Sequence, residues 1–315
     1  MPICCWRSCL SFILEAFFAW LQASVPDNWA RHDFSDRLVR ERNELSEHGK
    51  KLRMNRIFRG PGRRALIVAF DHPLFFGPLP GTAEPQKQVR EFAMNGADAI
   101  LLTLGMLRNC IDSFLQPSAP ALVVRLDWTS AWEAAKGKRA ISKLVARPEE
   151  ALRHGADAVI TYLFVGTGDM EFEAQEIARN SEIARECERI GLPLIIEALA
   201  RGSQVQNPVS LDWMKLHTRL AAELGADLIK TEYTGDPKTM RQVVELSPLP
   251  IFVLGGSRMG SDNEALAVVR ESVEAGAVGV FFGRNVFQAA NMSEFLRSAR
   301  VLLDDHPAES IRASP

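Results

Sequence analysis

The chain has 315 residues, 47% of them hydrophobic and 24% charged, with a formal net charge of -2. That balance excludes a disordered chain, which has too little apolar surface to bury. With 37 basic against 39 acidic side chains and no basic run, it also excludes a general nucleic-acid binder. Five cysteines (Cys4, Cys5, Cys9, Cys110, Cys187) form no C-x-x-C pair, so neither a zinc site nor a dithiol redox motif is expected. They read as reduced thiols of a cytoplasmic protein.

The first 51 residues differ from the rest. Met1 to Ala23 is largely apolar, with Arg7 and Glu15 as its only charged side chains. Glu15 interrupts the run that a signal peptide or a span of about 20 residues would need. No stable membrane association is therefore expected, and the stretch reads as a short amphipathic helix or as an upstream extension from a misplaced start codon. Asp27 to Lys51 is charged and helical in pattern. The expected organisation is an N-terminal helical extension (1–51), a main domain (52–303) and a C-terminal tail (304–315).

In the main domain, eight short apolar runs recur: Ala65–Asp71, Ala97–Thr103, Ala121–Asp127, Ala156–Tyr162, Pro193–Ala200, Ala226–Tyr233, Pro250–Gly256 and Gly276–Gly283. Such runs are typical of parallel strands buried on both faces. Three open on a repeated Gly-Ala-Asp (Gly96, Gly155, Gly225), and Gly276-Ala277-Val278 is a near copy. Each glycine follows a helical stretch and suits a left-handed helix cap before the next strand. Eight strand–helix units predict an α/β fold, a (β/α)8 TIM barrel. The rival, a doubly wound open sheet, calls for a glycine-rich turn after an early strand. Asp71-His72-Pro73 stands after the first one.

A barrel of this kind carries its site at the C-terminal strand ends. Lys230 is the one lysine of nine to fall within a predicted core strand. Burial disfavours its ammonium form, and a neutral amine can form a Schiff base with a ketone. A structural ion pair with Asp71 or Glu197 is the alternative from local sequence. Gly255-Gly256-Ser257 and Gly283-Arg284-Asn285 end the last two strands, the usual place for a phosphate held by backbone N–H groups, a short helix start and an arginine fork. Asp71 and Glu197 are candidate proton carriers, with His72 as a rival. Arg125 and Asp127 read as structural, ion-paired with each other or with the site rim. Only His72 of the six histidines falls at a strand end, so no metal cluster is expected.

These residues resemble a family. Arg56–Arg59, Gly62–Ile67 and Asp71-His72 are similar to the opening of archaeal-type class I fructose-bisphosphate aldolases. Gly225 to Asp236 resembles the segment holding their Schiff-base lysine. Pro250 through Gly255-Gly256-Ser257 to Gly283-Arg284-Asn285-Val286-Phe287-Gln288 resembles their phosphate-binding end. The likeness runs from about Leu52 to about Leu303 and extends to deoxyribose-phosphate and tagatose-bisphosphate aldolases. It implies a homo-oligomeric lyase acting on a phosphorylated sugar with Lys230 as nucleophile and no cofactor.

Two departures stand out. Leu199 falls where the family carries a tyrosine acid/base, and the first motif is Asp-His-Pro rather than Asp-His-Gly. Glu197 matches a glutamate that serves the tagatose-bisphosphate type. The competing expectations are a Schiff-base thiolase or transferase acting on a phosphorylated dione, and a non-catalytic phosphosugar-binding barrel.

Overall fold

The computed structural model describes residues 46–60, 62–132 and 139–306. The expected extension up to residue 45, with Cys4, Cys5 and Cys9, lies outside the described residues, as does the tail beyond 306. Cys110 and Cys187 are buried free thiols. Among the described residues, no helix is long and apolar enough to cross a membrane.

All eight predicted runs form strands. In chain order they are β1 (Ala65–Ala69), β2 (Ala99–Thr103), β3 (Ala121–Arg125), β6 (Ala158–Val165), β7 (Leu194–Ala200), β8 (Leu228–Thr231), β9 (Ile251–Leu254) and β10 (Gly279–Phe282). They close a parallel barrel in the order β1-β10-β9-β8-β7-β6-β3-β2, a TIM barrel. Helices accompany them: α1 (Pro73–Phe76), α2 (Pro85–Met94), α3 (Leu104–Cys110), α4 (Pro148–Arg153), α5 (Met170–Ile190), α6 (Leu211–Glu223), α7 (Pro237–Leu246), α8 (Asp262–Glu274), α9 (Arg284–Phe287) and α10 (Met292–Asp304). Their starts are written in the sequence. Asp169, Asp236, Ser261 and Asn291 each accept a hydrogen bond from an N–H in the first turn.

One element departs from the sequence pattern. The third apolar run extends to Asp127, but β3 ends at Arg125. Leu126 then turns the chain out, its carbonyl accepting from Val145 and Ala146 at 2.7 and 3.1 Å. Asp127–Thr129 (β4) pairs instead with Ser142–Leu144 (β5) as an antiparallel hairpin.

Alternation along the strands separates two cores. Ala65, Ile67, Ala69, Ala99, Leu101, Val123, Ile160, Ile195, Phe252 and Phe281 fill the barrel interior together with Ile57 and Phe58. Leu66, Val68, Ile100, Leu102 and Val124 face outward into the layer shared with the helices. Phe58 stacks on Phe252 with centroids 5.6 Å apart, closing the floor.

The Gly-Ala-Asp repeat builds that floor. Gly96, Gly155 and Gly225 have φ of +97, +84 and +93°, the left-handed region that favours glycine. Each aspartate then clamps the preceding strand. Asp98 accepts from the Leu66 N–H at 2.7 Å, Asp157 from Leu122 at 2.9 Å, and Asp227 from Leu194 at 2.8 Å. The N–H of each donates back to the carbonyl of the same residue. A helical segment over 46–57, which crosses residue 52, and the loop after it supply one cation per aspartate. Lys50 reaches Asp227 at 2.9 Å, Arg56 reaches Asp157 at 3.2 Å and Arg59 reaches Asp98 at 3.7 Å.

Candidate active site

The same alternation that fills the floor with apolar groups puts a charged layer above it. Two residues past Val123 comes Arg125, past Ile160 comes Tyr162, past Ile195 comes Glu197, and past Leu228 comes Lys230. Arg125 has no exposed surface, and Lys230 and Glu197 are each 4% exposed. Lys230 Nζ lies 2.8 Å from Glu197 Oε1. The other carboxylate oxygen of Glu197 accepts from an Arg125 Nη. Arg125 Nε donates to Asp71 at 2.8 Å, and its remaining Nη stands 3.4 Å from Asp127. Ion pairing with Glu197 and nucleophilic chemistry, alternatives in the sequence, are thus not exclusive at Lys230, since the pair exists at the base of a cavity.

Electrostatics follow from this packing. Burial pushes the Lys230 ammonium below its ordinary value, against the pull of Glu197 and Asp71. Burial would raise the Asp71 carboxyl, but Arg125, His72 and Lys230 together hold it below the usual range. His72 is brought down to about 4, chiefly by burial, so it is neutral at pH 7. Its ring packs edge-on to Phe287, and its Nδ1 has no hydrogen-bond partner. Asp127 serves the framework: it accepts from the Tyr162 N–H at 2.8 Å and pairs with Arg179 at 3.1 Å.

Above this layer opens a cavity of about 290 Å³. Asp71, Glu197 and Lys230 line it together with Gly255, Gly256, Ser257, Gly283 and Arg284. Every catalytic or phosphate-binding candidate from the sequence is therefore in one place. Gly256 has φ +63°. A Cβ on Gly283 would come within 2.7 Å of the Ala69 carbonyl oxygen and 2.2 Å of the His72 ring, so only glycine fits there. Asn285 ties the two strand ends together. Its amide donates to the carbonyls of Gly255 at 2.8 Å and Ser257 at 3.1 Å, and its oxygen accepts from the Met259 N–H at 2.9 Å. Arg284 has a buried Nε with no partner, and among the described residues no carboxylate pairs with its guanidinium.

Three contributors are not fully evident from local sequence. Arg125 reads as pairing either with Asp127 or with the site rim, and it does both, bridging Asp71 and Glu197 as well. Tyr162 belongs to no motif, yet it lines the cavity beneath the Arg125 guanidinium, 3.9 Å from the ring centroid. The two-residue period of their strands is the signal that points both inward. Arg201 and Glu232 form a two-pronged pair at 2.8 and 2.7 Å on the cavity wall, which no local motif announces. Leu199 also lines the cavity, packed in a cluster with Phe164 and Phe172. No group of His, Cys, Asp and Glu that could hold a metal occurs among the described residues.

Comparison with known proteins agrees with this geometry. The DeoC/LacD family aldolase model matches residues 65–289. An uncharacterized aldolase of Saccharolobus solfataricus is 34% identical over 262 residues, covering 82% of this chain and 95% of the relative. A 2-amino-4,5-dihydroxy-6-oxo-7-(phosphonooxy)heptanoate synthase of Streptomyces griseus is 33% identical, covering 76% and 85%. A class 1 fructose-bisphosphate aldolase of Thermoproteus tenax is 30% identical, covering 79% and 92%. Among solved structures, a Schiff-base-forming fructose-1,6-bisphosphate aldolase superposes with a TM-score of 0.70 at 30% identity, covering 81% of this chain and 99% of the other. With the match running from β1 to beyond α9, the chain belongs to the DeoC/LacD family of aldolases and is a TIM-barrel lyase.

Proposed function

We propose that this aldolase works through a Schiff base on Lys230, joining or cleaving a carbon–carbon bond next to the ketone of a phosphorylated substrate. The observation that carries this reading is a buried lysine 2.8 Å from a carboxylate, at the base of a cavity whose rim holds an arginine without a carboxylate partner. The phosphate sits against the backbone N–H groups of Gly256 and Ser257, close to Gly255 and Gly283, with Arg284 as its counter-charge. The names of two relatives support the donor. Fructose bisphosphate and a 6-oxo-7-(phosphonooxy)heptanoate share a ketone beside a phosphorylated CH2. Dihydroxyacetone phosphate is the smallest donor with that unit.

Lys230 in its neutral form attacks the ketone carbon and forms a carbinolamine. Glu197 moves protons between the amine and the departing hydroxyl, and water leaves to give an iminium. The iminium withdraws electrons, so the adjacent bond breaks or forms through an enamine. Asp71 orients Arg125, which in turn holds Glu197. No separate cofactor is needed for these steps. Homo-oligomeric assembly and a cytoplasmic location belong to the same proposal, on the strength of the family. The two named compounds differ in the rest of the carbon chain, the part that the acceptor aldehyde supplies in this reading.

Borohydride trapping with dihydroxyacetone phosphate, followed by peptide mass spectrometry, tests the reading. A reduced adduct on Lys230 is expected, with its loss in Lys230→Ala and a fall in turnover of about 10⁴-fold or more. Normal turnover by Lys230→Ala would overturn it. Binding of phosphorylated ligands without any adduct would favour the non-catalytic barrel. Turnover that requires coenzyme A would favour a transferase.

A further inference from the structure

Carbon–carbon bond formation needs a proton for the oxygen of the aldehyde under attack. At position 199 a leucine stands in the cavity wall and has none to give. Glu197 is engaged on both oxygens, by Lys230 and by Arg125. Asp71 is held by Arg125, and Glu232 by both prongs of Arg201. Among the described residues that line the cavity, only Tyr162 and Ser257 carry a hydroxyl, and Ser257 belongs to the glycine turn assigned to phosphate.

We propose that the Tyr162 hydroxyl is the acid of the bond-forming step, donating its proton to the acceptor aldehyde oxygen. The assignment rests on the Schiff-base reading above and adds a residue to it. Tyr162 lies beside Glu197 in the β6–β7 register, one strand over from Leu199. It is 5% exposed, and that exposure opens into the cavity. Its hydroxyl makes no hydrogen bond within the described residues, and it is not among the sealed polar atoms that lack partners. The ring is fixed on three sides, with Arg125 on its face at 3.9 Å and Phe75 and Trp132 edge-on at 5.4 and 5.5 Å. Burial and the carboxylates of Glu197 and Asp71 keep the phenol protonated, while Arg125 on its face favours the charge that develops as the proton leaves.

The step balances. The enamine carbon on Lys230 attacks the aldehyde carbon and the new C–C bond forms. The carbonyl π electrons move to the aldehyde oxygen, which takes the phenolic proton. The phenolate regains a proton from water in the cavity, and hydrolysis of the iminium frees Lys230. Cleavage runs through the same atoms in reverse.

Tyr162→Phe keeps the ring and its packing and removes only the hydroxyl. The test uses dihydroxyacetone phosphate for trapping and a panel of phosphorylated and unphosphorylated aldehydes for addition. Trapping on Lys230 is expected to match wild type. kcat for addition is expected to fall about 10²–10³-fold with KM for the donor within a few-fold. Tyr162→Phe combined with Leu199→Tyr, which restores a phenol at the neighbouring position, is expected to recover at least about tenfold of that loss, an effect lost packing would not produce. Addition by Tyr162→Phe within about threefold of wild type overturns the proposal. So does equal loss of trapping and addition, which would place the hydroxyl in Schiff-base formation. Wild type that traps but adds no aldehyde overturns it too. Wild type with no adduct removes the Schiff-base reading itself, a result separable from failure of Tyr162 alone.

Discussion

Arg125→Met is the sharpest probe of the charged layer. The guanidinium is fully buried and contacts three carboxylates, but they do not depend on it equally. Glu197 retains Lys230 at 2.8 Å, and Asp127 retains Arg179 at 3.1 Å and the Tyr162 N–H. Asp71 retains no hydrogen-bonded cation, only the pull of Lys230 and a neutral His72 at 3.7 Å. The substitution therefore strands one buried carboxylate, at about 3–5 kcal/mol. For a domain of this size that corresponds to a fall in Tm of about 6–20 °C. The sign with pH is fixed. In the wild type, Asp71 is held below its usual value, so its contribution is full above about pH 4 and fades as pH falls through its lowered pKa. Without Arg125, burial raises Asp71 above its unfolded value, so the variant is penalised most at neutral pH and relieved toward pH 4. Thermal unfolding at pH 7 and pH 4.5 reads the gap, which must narrow on acidification. Asp71→Asn in the Arg125→Met background removes the stranded charge and is expected to restore part of the loss. A gap under about 1 kcal/mol at pH 7, a gap that widens in acid, or no relief from Asp71→Asn would refute the assignment.

Three further predictions concern the site and its floor. Trapping of Lys230 should rise with pH to a plateau with a midpoint below the ordinary lysine value of 10.5, and Glu197→Gln should move that midpoint lower still, because Glu197 is the largest influence favouring the ammonium. Gly283→Ala drives a methyl against the Ala69 carbonyl and His72, and overpacking there is expected to cost about 1–3 kcal/mol and to raise KM for phosphorylated donors, read by denaturant unfolding and steady-state rates. Asp227→Asn weakens the bond to the Leu194 N–H and frees Lys50 of a partner, with an expected loss of about 1–3 kcal/mol in the same unfolding assay and little change in kcat.

The barrel is legible in the sequence because every unit announces itself by an apolar run, and four of them also by a glycine of positive φ just before it, at Gly96, Gly155, Gly225 and Gly276. Lys230 is legible as a buried cavity residue because a lone lysine inside such a run must pair or react, and it pairs with Glu197 at 2.8 Å. Gly283 and Arg284 are legible as a strand-end pair. The β4–β5 hairpin is not, because Asp127 continues the apolar run in sequence and nothing local shows that Leu126 turns outward. Arg125 is only partly legible for a related reason. Its near neighbour Asp127 is two residues away in sequence, while Asp71 and Glu197 come from other strands and meet it only when the barrel closes. The aspartates of the Gly-Ala-Asp repeat are visible as a pattern, but their work as clamps needs the neighbouring strand in place.

Arginine rather than lysine at position 125 follows from what the proposed Schiff-base reaction on Lys230 would ask of the layer. With Lys230 protonated, two cations face Asp71 and Glu197. When Lys230 gives up its proton to become a nucleophile, one buried cation disappears, and an unpaired buried carboxylate would be costly. Arg125 prevents this, because its guanidinium keeps its charge and its fork reaches both carboxylates at once. The iminium then restores a cation at the Lys230 nitrogen, so the layer passes through its least balanced state only while the amine is free. A lysine at 125 would bring one point charge in place of a fork, and a second amine able to lose its proton within the same cavity. The residue that makes no bond to substrate thus sets the condition under which Lys230 can make one.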